Sequence, residues 1–298
     1  MWREQLKEVI KGQVLFDEPL SRFTSFGIGG PADALVFPKD VEDLEAALAN
    51  VRGNGIPFFP MGGGTNLLVR DKGIKGLVIN LSRSFNEMTL KGEEVIAGGG
   101  TRLSRLLEFC IQEGLAGLEF LSMIPGTVGG AVKGNAGAWG RSIGDFLTRV
   151  RVLDGKGNDR YYRAGELMFS YRHSCISPDE IIVEAAFSLK ADDPSTILKR
   201  SQEFSEKRAR QQPLIDRSAG SIFKNPPGDY AGRLIEGSGL KGLRRGNAQI
   251  SPKHANFIVN LGGATANDVL SLIDLAREIV RQEMGIELEL EIQVVGEE

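Results

Sequence analysis

The chain is poor in the residues that build metal sites and covalent frameworks. It has two cysteines, Cys110 and Cys175, and two histidines, His173 and His254, in 298 residues. The cysteines lie far apart and form no metal-type pair, and H-E-x-x-H does not occur, so no metal site is expected. Cys110 falls on the apolar side of an expected helix and is assigned as a buried thiol. No run of about 18 apolar residues occurs, so no segment is expected to span a bilayer. The opening "MWREQLKEVIKG" mixes charges among its apolar residues and lacks the continuous apolar stretch of a signal peptide. A cytoplasmic, reduced protein is therefore expected. Net charge is only -3, too small for a global field that would draw nucleic acid or an anionic membrane. Gly-Lys-Ser/Thr is absent, which excludes a P-loop, and Ser221 does not sit in the G-x-S-x-G setting of a nucleophile elbow.

Glycine is what the chain has in excess, with 38 residues against a usual share of about 7%. These glycines cluster without period, which excludes collagen-like repeats and flexible linkers. The first cluster, "FPMGGGTNLLVR" (59–70), follows a short apolar run. It does not open directly into a helix, as a dinucleotide-binding G-x-G-x-x-G turn requires. Two readings of Gly62, Gly63 and Gly64 stay open: a tight turn at a strand end, or bare main-chain N–H groups cradling an anion. The second cluster, "SMIPGTVGGAVKGNAGAWG" (122–140), leaves main chain open in the same way. Each cluster also carries Thr or Asn donors (Thr65, Asn66, Thr127, Asn135), and the pair together favours a long diphosphate cofactor.

Hydrophobic periodicity gives the frame. Short strands are expected at 34–38, 56–60, 76–81, 94–97, 148–154 and 181–189, with helices over "VEDLEAALANV", 102–113 and 196–210. A boundary is placed near 195, after "DDP". Thr265 and Asp268 start a final helix, which Gly285 ends. "IELELEIQVV" then alternates, predicting a strand over 286–295 with Ile286, Leu288, Leu290, Ile292 and Val294 on one face.

From 198 to 254 there are twelve Lys/Arg against five Asp/Glu. The few aromatics there are not interleaved as a nucleic-acid stacking platform requires, so a pocket for a small polyanion is the better reading. Within it "SAGSIFKNP" packs Ser221, Lys224 and Asn225 together. Ser221 has no triad, so it is either a turn serine or a group that moves a proton. "FSYRHS" sets Tyr171 and Arg172 between two β segments, where the arginine either pairs with a surface carboxylate or grips a ligand carboxylate in two-pronged fashion. Glu287, Glu289 and Glu291 share one face, and spacing selects none of them.

Taken in order, seven segments resemble the motifs of the UDP-N-acetylenolpyruvoylglucosamine reductase family of bacterial cell-wall synthesis. They are "RFTSFGIGGPADALVFP" (22–38), "GGGTNLLV" (62–69), "IPGTVGGAVKGNAGAWG" (124–140), "FSYR" (169–172), "GSIFKNP" (220–226), "HANFIVN" (254–260) and "LELEI" (288–292). The resemblance implies an α+β chain: an FAD-binding fold of the vanillyl-alcohol oxidase/PCMH type, made of two α/β subdomains, plus a C-terminal α/β substrate-binding domain. It implies subdomains over 1–82 and 83–195, a substrate domain over 198–284, and a last strand within 286–298 that returns to the first subdomain. FAD, held without a covalent link, would contact Gly62, Gly63, Gly64, Thr65, Asn66, Leu67, Pro125, Gly126, Thr127, Gly130, Ala131, Asn135, Ala136 and Gly137. NADPH would be the hydride donor and a UDP-sugar enolpyruvyl ether the acceptor, with peptidoglycan precursor as product and cell shape and division depending on it. Arg172, Ser221 and Glu291 match the catalytic residues, with Glu291 expected to carry a proton through a raised pKa. Tyr171, Arg172, Lys224, Asn225 and His254 match the substrate-binding set. No metal, nucleic acid, membrane or second copy is implied. Gln211 and Gln212 stand where some members carry lysine, so Arg208 or Arg210 is expected to substitute. Only "HSCISPDE" separates Arg172 from the next strand, the pattern of the subclass without a long tyrosine-bearing loop. The alternatives are an alcohol oxidase of the same fold, which the lack of a tethering His or Cys in the glycine clusters disfavours, and a non-enzymatic nucleotide-binding module.

Overall fold

The computed structural model describes residues 1–298. They form two compact units, one of Met1–Phe16, Asp33–Gly63 and Gly76–Lys207, the other of Asp17–Ala32, Gly64–Lys75 and Arg208–Glu298.

In the first unit, the helix Val41–Gly53 connects the strands Pro31–Phe37 and Phe58–Met61. It starts where Asp40 accepts from the Asp43 N–H at 2.9 Å, satisfying one of the donors a helix leaves open at its first turn. Asp43 is fully buried, yet it is paired: its carboxylate accepts from the N–H groups of Lys11, Gly12 and Lys39 at 2.7–2.9 Å. Phe58–Met61 runs parallel to Ile74–Asn80, with Pro60 opposite Ile79. Leu44, Leu48 and Val51 of the helix bury against Leu77 and Ile79.

The same unit holds an antiparallel sheet in the order Asp159–Arg163, Leu147–Leu153, Ile181–Ser188, Glu94–Gly98, Met88–Lys91. Its register places Ala185 between Val150 and Ala97. Leu103, Leu106 and Cys110 of the helix Leu103–Gln112 belong to the core beneath it. Burial pushes the Cys110 thiol up to about 12, so it is an inert packing residue. The glycine run at the end of Glu94–Gly98 has a packing cause. A Cβ on Gly98, Gly99 or Gly100 would collide with the carbonyl oxygens of Phe85, Ile182 or Leu81.

The second unit centres on the helix Ala266–Met284, whose Val269, Leu272, Ile273, Ala276 and Val280 form one buried stripe. Thr265 and Asp268 make a reciprocal capping box, and Gly285 ends the helix at φ 70°. A three-stranded antiparallel sheet runs in the order Arg244–Arg245, Ala248–Ile250, Ile258–Asn260. The expected strand over 286–295 is regular only at Gln293–Val295, which pairs in parallel with Leu67–Val69. Upstream, Leu288 and Ile292 are buried as their alternation predicts. Their main chain instead pairs with the 222–224 segment, through Phe223 opposite Leu290 and the Lys224 N–H donating to Glu289.

Candidate functional site

The first glycine cluster offers donors. The N–H groups of Gly62, Gly63 and Gly64 donate to no protein acceptor, and Gly64 sits at φ 62°. In the second cluster the N–H groups of Gly126 and Thr127 are likewise unused, and Gly126 has φ 123°. Main chain that leaves successive N–H groups unpaired is an anion-binding arrangement, and a diphosphate supplies acceptors for it. The two loops meet: a Cβ on Gly62 would come within 3.0 Å of Thr127 Oγ1. Protein atoms, as well as any ligand, therefore forbid a side chain at Gly62. Gly62→Ala is expected to cost about 1–3 kcal/mol of stability by overpacking and to weaken FAD binding. Melting curves and FAD titration check this, with part of the loss recovered in Gly62→Ala/Thr127→Ala. An alanine variant that binds FAD and melts like the parent would contradict it.

Other residues of the clusters are occupied by the protein. Thr127 caps the helix Val128–Lys133 by accepting from Gly130 N–H at 3.4 Å. Ala131 N–H donates to Thr127 and Ala136 N–H to Ala131, while Gly137 lies in a tight hairpin where a Cβ would hit the Arg141 carbonyl. Pro125 and Gly130 are exposed. Asn135 is buried, with Nδ2 donating to Ser170 O at 2.8 Å and Oδ1 accepting from Gly144 N–H at 3.1 Å. Asn66 is exposed, and its Nδ2 donates to the Glu291 carbonyl at 3.0 Å. Both asparagine side chains are thus engaged with protein. Leu67 is buried and Thr65 is half-buried.

Arg172 occupies a tight turn closed by reciprocal bonds between Ser170 and His173, both 3.1 Å. Its φ is 57°, a left-handed conformation that costs a non-glycine residue about 1–2 kcal/mol. Such strain persists only where surroundings fix it, and it concentrates at working sites. The guanidinium carbon stands 5.1 Å from the Tyr171 ring centre, and Tyr171 is half exposed.

In the second unit the 221–225 segment gathers Ser221, Lys224 and Asn225 beside Glu289 and Glu291. Phe257 pairs with Ser221, and Glu291 N–H donates to Ile222 O at 2.8 Å. The half-buried Ser221 hydroxyl is tied to no other protein group. Of the three glutamates, Glu289 is the one that pairs with the Lys224 ammonium. Asn225 Oδ1 accepts from Ala231 N–H at 3.1 Å, at the start of the helix Ala231–Gly237. Arg208 is buried and donates to Gln212 Oε1 at 3.2 Å, so its guanidinium is shared with one of the glutamines at the departure from the lysine pattern.

Sequence reasoning missed Asn256. It is buried, with Nδ2 donating to Phe223 O at 2.8 Å and Oδ1 accepting from Phe223 N–H at 2.9 Å, which fixes the main chain that carries Ser221 and Lys224. The signal was an asparagine set between the apolar Ala255 and Phe257 of "HANFIVN", since a buried amide must be bonded.

His254 Nδ1 accepts from the Asn256 N–H at 3.2 Å, and its ring meets Phe257 edge-on at 5.0 Å. Burial, with Lys241 adding to it, holds the imidazole pKa below its ordinary value of about 6.5. The folded state therefore favours the neutral ring. Its stabilising contribution is complete above the unfolded value and is lost as pH falls through the depressed folded value. Urea melts between about pH 5 and 8 are expected to show stability rising with pH, and His254→Gln should flatten the rise. An unchanged slope in the variant would exclude His254 as its source.

An α/β frame that presents unpaired main-chain donors on two glycine loops, together with its match to a flavin-domain profile, defines a protein of the FAD-binding fold class. Residues 32–159 match the family profile described as FAD binding domain. The BBE-like 1 protein of Physcomitrella patens, a single-substitution variant, superposes with TM-score 0.60 at 15% identity over 96% of this chain and 90% of its own, a likeness of fold alone.

Residues 212–295 match the profile of the UDP-N-acetylenolpyruvoylglucosamine reductase C-terminal domain. The chain is 45% identical to UDP-N-acetylenolpyruvoylglucosamine reductase of Moorella thermoacetica, covering 98% of this chain and 97% of that one. Identity is 47% to the enzyme of the same name from Rubrobacter xylanophilus, covering 95% of each. The crystal structure of the Thermus caldophilus reductase superposes with TM-score 0.83 at 40% identity, covering 96% of this chain and all of that one. The chain belongs to the UDP-N-acetylenolpyruvoylglucosamine reductase family.

Proposed function

We propose that this protein is an FAD-dependent UDP-N-acetylmuramate dehydrogenase that reduces the enolpyruvyl ether of UDP-N-acetylglucosamine, with NADPH as donor, in peptidoglycan precursor synthesis. The observation that carries the proposal, beside family membership, is the set of unpaired N–H groups at Gly62, Gly63, Gly64, Gly126 and Thr127. They suit the diphosphate of a non-covalently held dinucleotide. We assign 1–82 and 83–195 as the flavin-binding subdomains and 198–284 as the substrate domain. The pairing of Gln293–Val295 with Leu67–Val69, which lie within 1–82 but in the compact unit that also holds 208–298, supports a return of the last strand to that stretch of chain. NADPH and the nucleotide sugar are cytoplasmic metabolites, so we place the reaction in the cytoplasm, with small molecules as its only required partners.

Bound FAD would supply the hydride chemistry between NADPH and the terminal vinyl carbon, with the N–H groups of Gly62, Gly63, Gly64, Gly126 and Thr127 holding its diphosphate. The protein's task is to manage charge and one proton. Arg172 holds the substrate carboxylate, where negative charge accumulates as the neighbouring carbon becomes carbanionic. Glu291, whose N–H donates to the Ile222 carbonyl next to Ser221, is assigned to polarise the substrate's carboxylate. Ser221 O–H gives its proton to the carbon bearing the ether oxygen. A hydroxyl is a weak acid, and it serves here because the carbanion is strongly basic and within hydrogen-bond reach. Tyr171, Lys224, Asn225 and His254 line the substrate, with the basic groups of 198–254 meeting its diphosphate.

Anaerobic titration tests the whole. NADPH should bleach the flavin absorbance, and the enolpyruvyl nucleotide should restore it. Bleaching by a simple alcohol would indicate an oxidase, and protein unable to take up FAD would indicate a binding module.

A further inference from the structure

Arg172 stands at a strained corner. Reciprocal main-chain bonds between Ser170 and His173 close the turn, Cys175 N–H donates to the Leu167 carbonyl across it at 3.0 Å, and Met168 just before it is also left-handed, at φ 42°. The reinforcement comes from residues 133–135. Asn135 Nδ2 donates to the Ser170 carbonyl at 2.8 Å, the same oxygen that accepts from His173 N–H. Its Oδ1 is anchored by Gly144 N–H at 3.1 Å, so the amide cannot rotate without breaking two bonds. Beyond the turn, Ser174 Oγ donates to Lys133 O at 2.7 Å, and the Lys133 ammonium donates to the carbonyls of Ile176 and Ser177. Desolvation lowers the Lys133 pKa, as fits a half-buried cation held against carbonyls. Both arms of the Arg172 turn are thus fastened to one short stretch of the second glycine cluster. Asn135 is the part of that stretch that is 5% exposed and satisfied at both ends of its amide.

We propose that Asn135 is a positioning residue for Arg172: through the Ser170 carbonyl its amide holds the turn that aims the guanidinium at the substrate carboxylate. The inference rests on the assignment of Arg172 to that carboxylate. It gives the asparagine of the glycine cluster a task in substrate reduction, separate from any contact its main chain makes with flavin.

Asn135→Asp tests it with least disturbance, because it keeps the size and the acceptor for Gly144 while removing the donor to Ser170. Asn135→Ala, Arg172→Ala and the Asn135→Asp/Arg172→Ala pair complete the set. Hydrogen exchange of the FAD-free protein should show amides across 168–175 exchanging about tenfold faster in the Asn135 variants. Reoxidation by the enolpyruvyl nucleotide should slow about 10- to 100-fold more than reduction by NADPH does, the scale that misplacement of a binding group produces. The pair should reoxidise within about threefold of Arg172→Ala alone, since a residue acting through Arg172 has nothing left to position. Additive losses, equal losses in both half-reactions or unchanged exchange would overturn the proposal. A wild-type flavin that the enolpyruvyl nucleotide fails to reoxidise would overturn the function instead, with exchange still deciding whether Asn135 holds the turn.

Discussion

Ser221→Ala is expected to take up FAD and be bleached by NADPH at close to the normal rate, yet to reoxidise on the order of 10²–10⁴-fold more slowly with the enolpyruvyl nucleotide. That range is what a positioned proton donor contributes. The structure makes the split sharp. The hydroxyl is tied to no protein partner, so its removal breaks no hydrogen-bond network, and the segment beneath it is held independently by Asn256 on Phe223. Stopped-flow absorbance of each half-reaction separates the outcomes. Equal loss in both halves would remove Ser221 from the proton-donor role.

Arg172→Ala is expected to lower kcat/KM for the enolpyruvyl nucleotide about 10²- to 10³-fold, the cost of leaving a carboxylate without its charge-assisted partner. Arg172→Lys should recover little. The ammonium keeps the charge but not the two-pronged donor geometry, and lysine gains nothing from a left-handed turn tailored to a different head group. Steady-state rates for the three proteins at matched flavin content check this. A lysine variant within threefold of wild type would show that charge alone suffices, contrary to the assignment.

How much of this was legible beforehand differs from residue to residue. The helix Ala266–Met284 was readable because local signals agree: a capping box, a single apolar stripe and a terminal glycine. The strand over 286–295 was half readable. Alternation told correctly which side chains face the core, with Leu288 and Ile292 buried and Ile286, Leu290 and Val294 partly so, but pairing depends on a partner, and the partner of Glu289–Glu291 is the irregular 222–224 segment, which carries no strand signal of its own. Glycine enrichment was visible, but its causes were not separable. Gly98, Gly99, Gly100 and Gly137 are glycines because neighbouring carbonyls fill the space of a Cβ. Gly62, Gly63 and Gly64 instead keep their N–H groups unpaired. Composition counts both kinds alike, and only three-dimensional contact tells them apart.

The candidate site shows the same limit. Spacing could not choose among Glu287, Glu289 and Glu291, whereas the fold gives Lys224 to Glu289 and ties the Glu291 main chain to Asn66 and Ile222. Asn66 and Asn135 read as cofactor contacts because they sit in glycine clusters, and their amides also bridge to Glu291 and Ser170, partners 225 and 35 residues away. Long-range bonds of this kind leave no periodic trace. Asn256 escaped notice for the same reason, its partner Phe223 being 33 residues distant.

Unpaired main-chain N–H groups on the two glycine loops are expected to receive the diphosphate of FAD. A crystal structure grown with excess FAD tests it most directly. Phosphate oxygens should lie about 2.7–3.2 Å from the nitrogens of Gly62, Gly63 and Gly64, with further contacts at Gly126 and Thr127. Loops folded onto their own carbonyls, or a flavin diphosphate bound elsewhere on the chain, would contradict it.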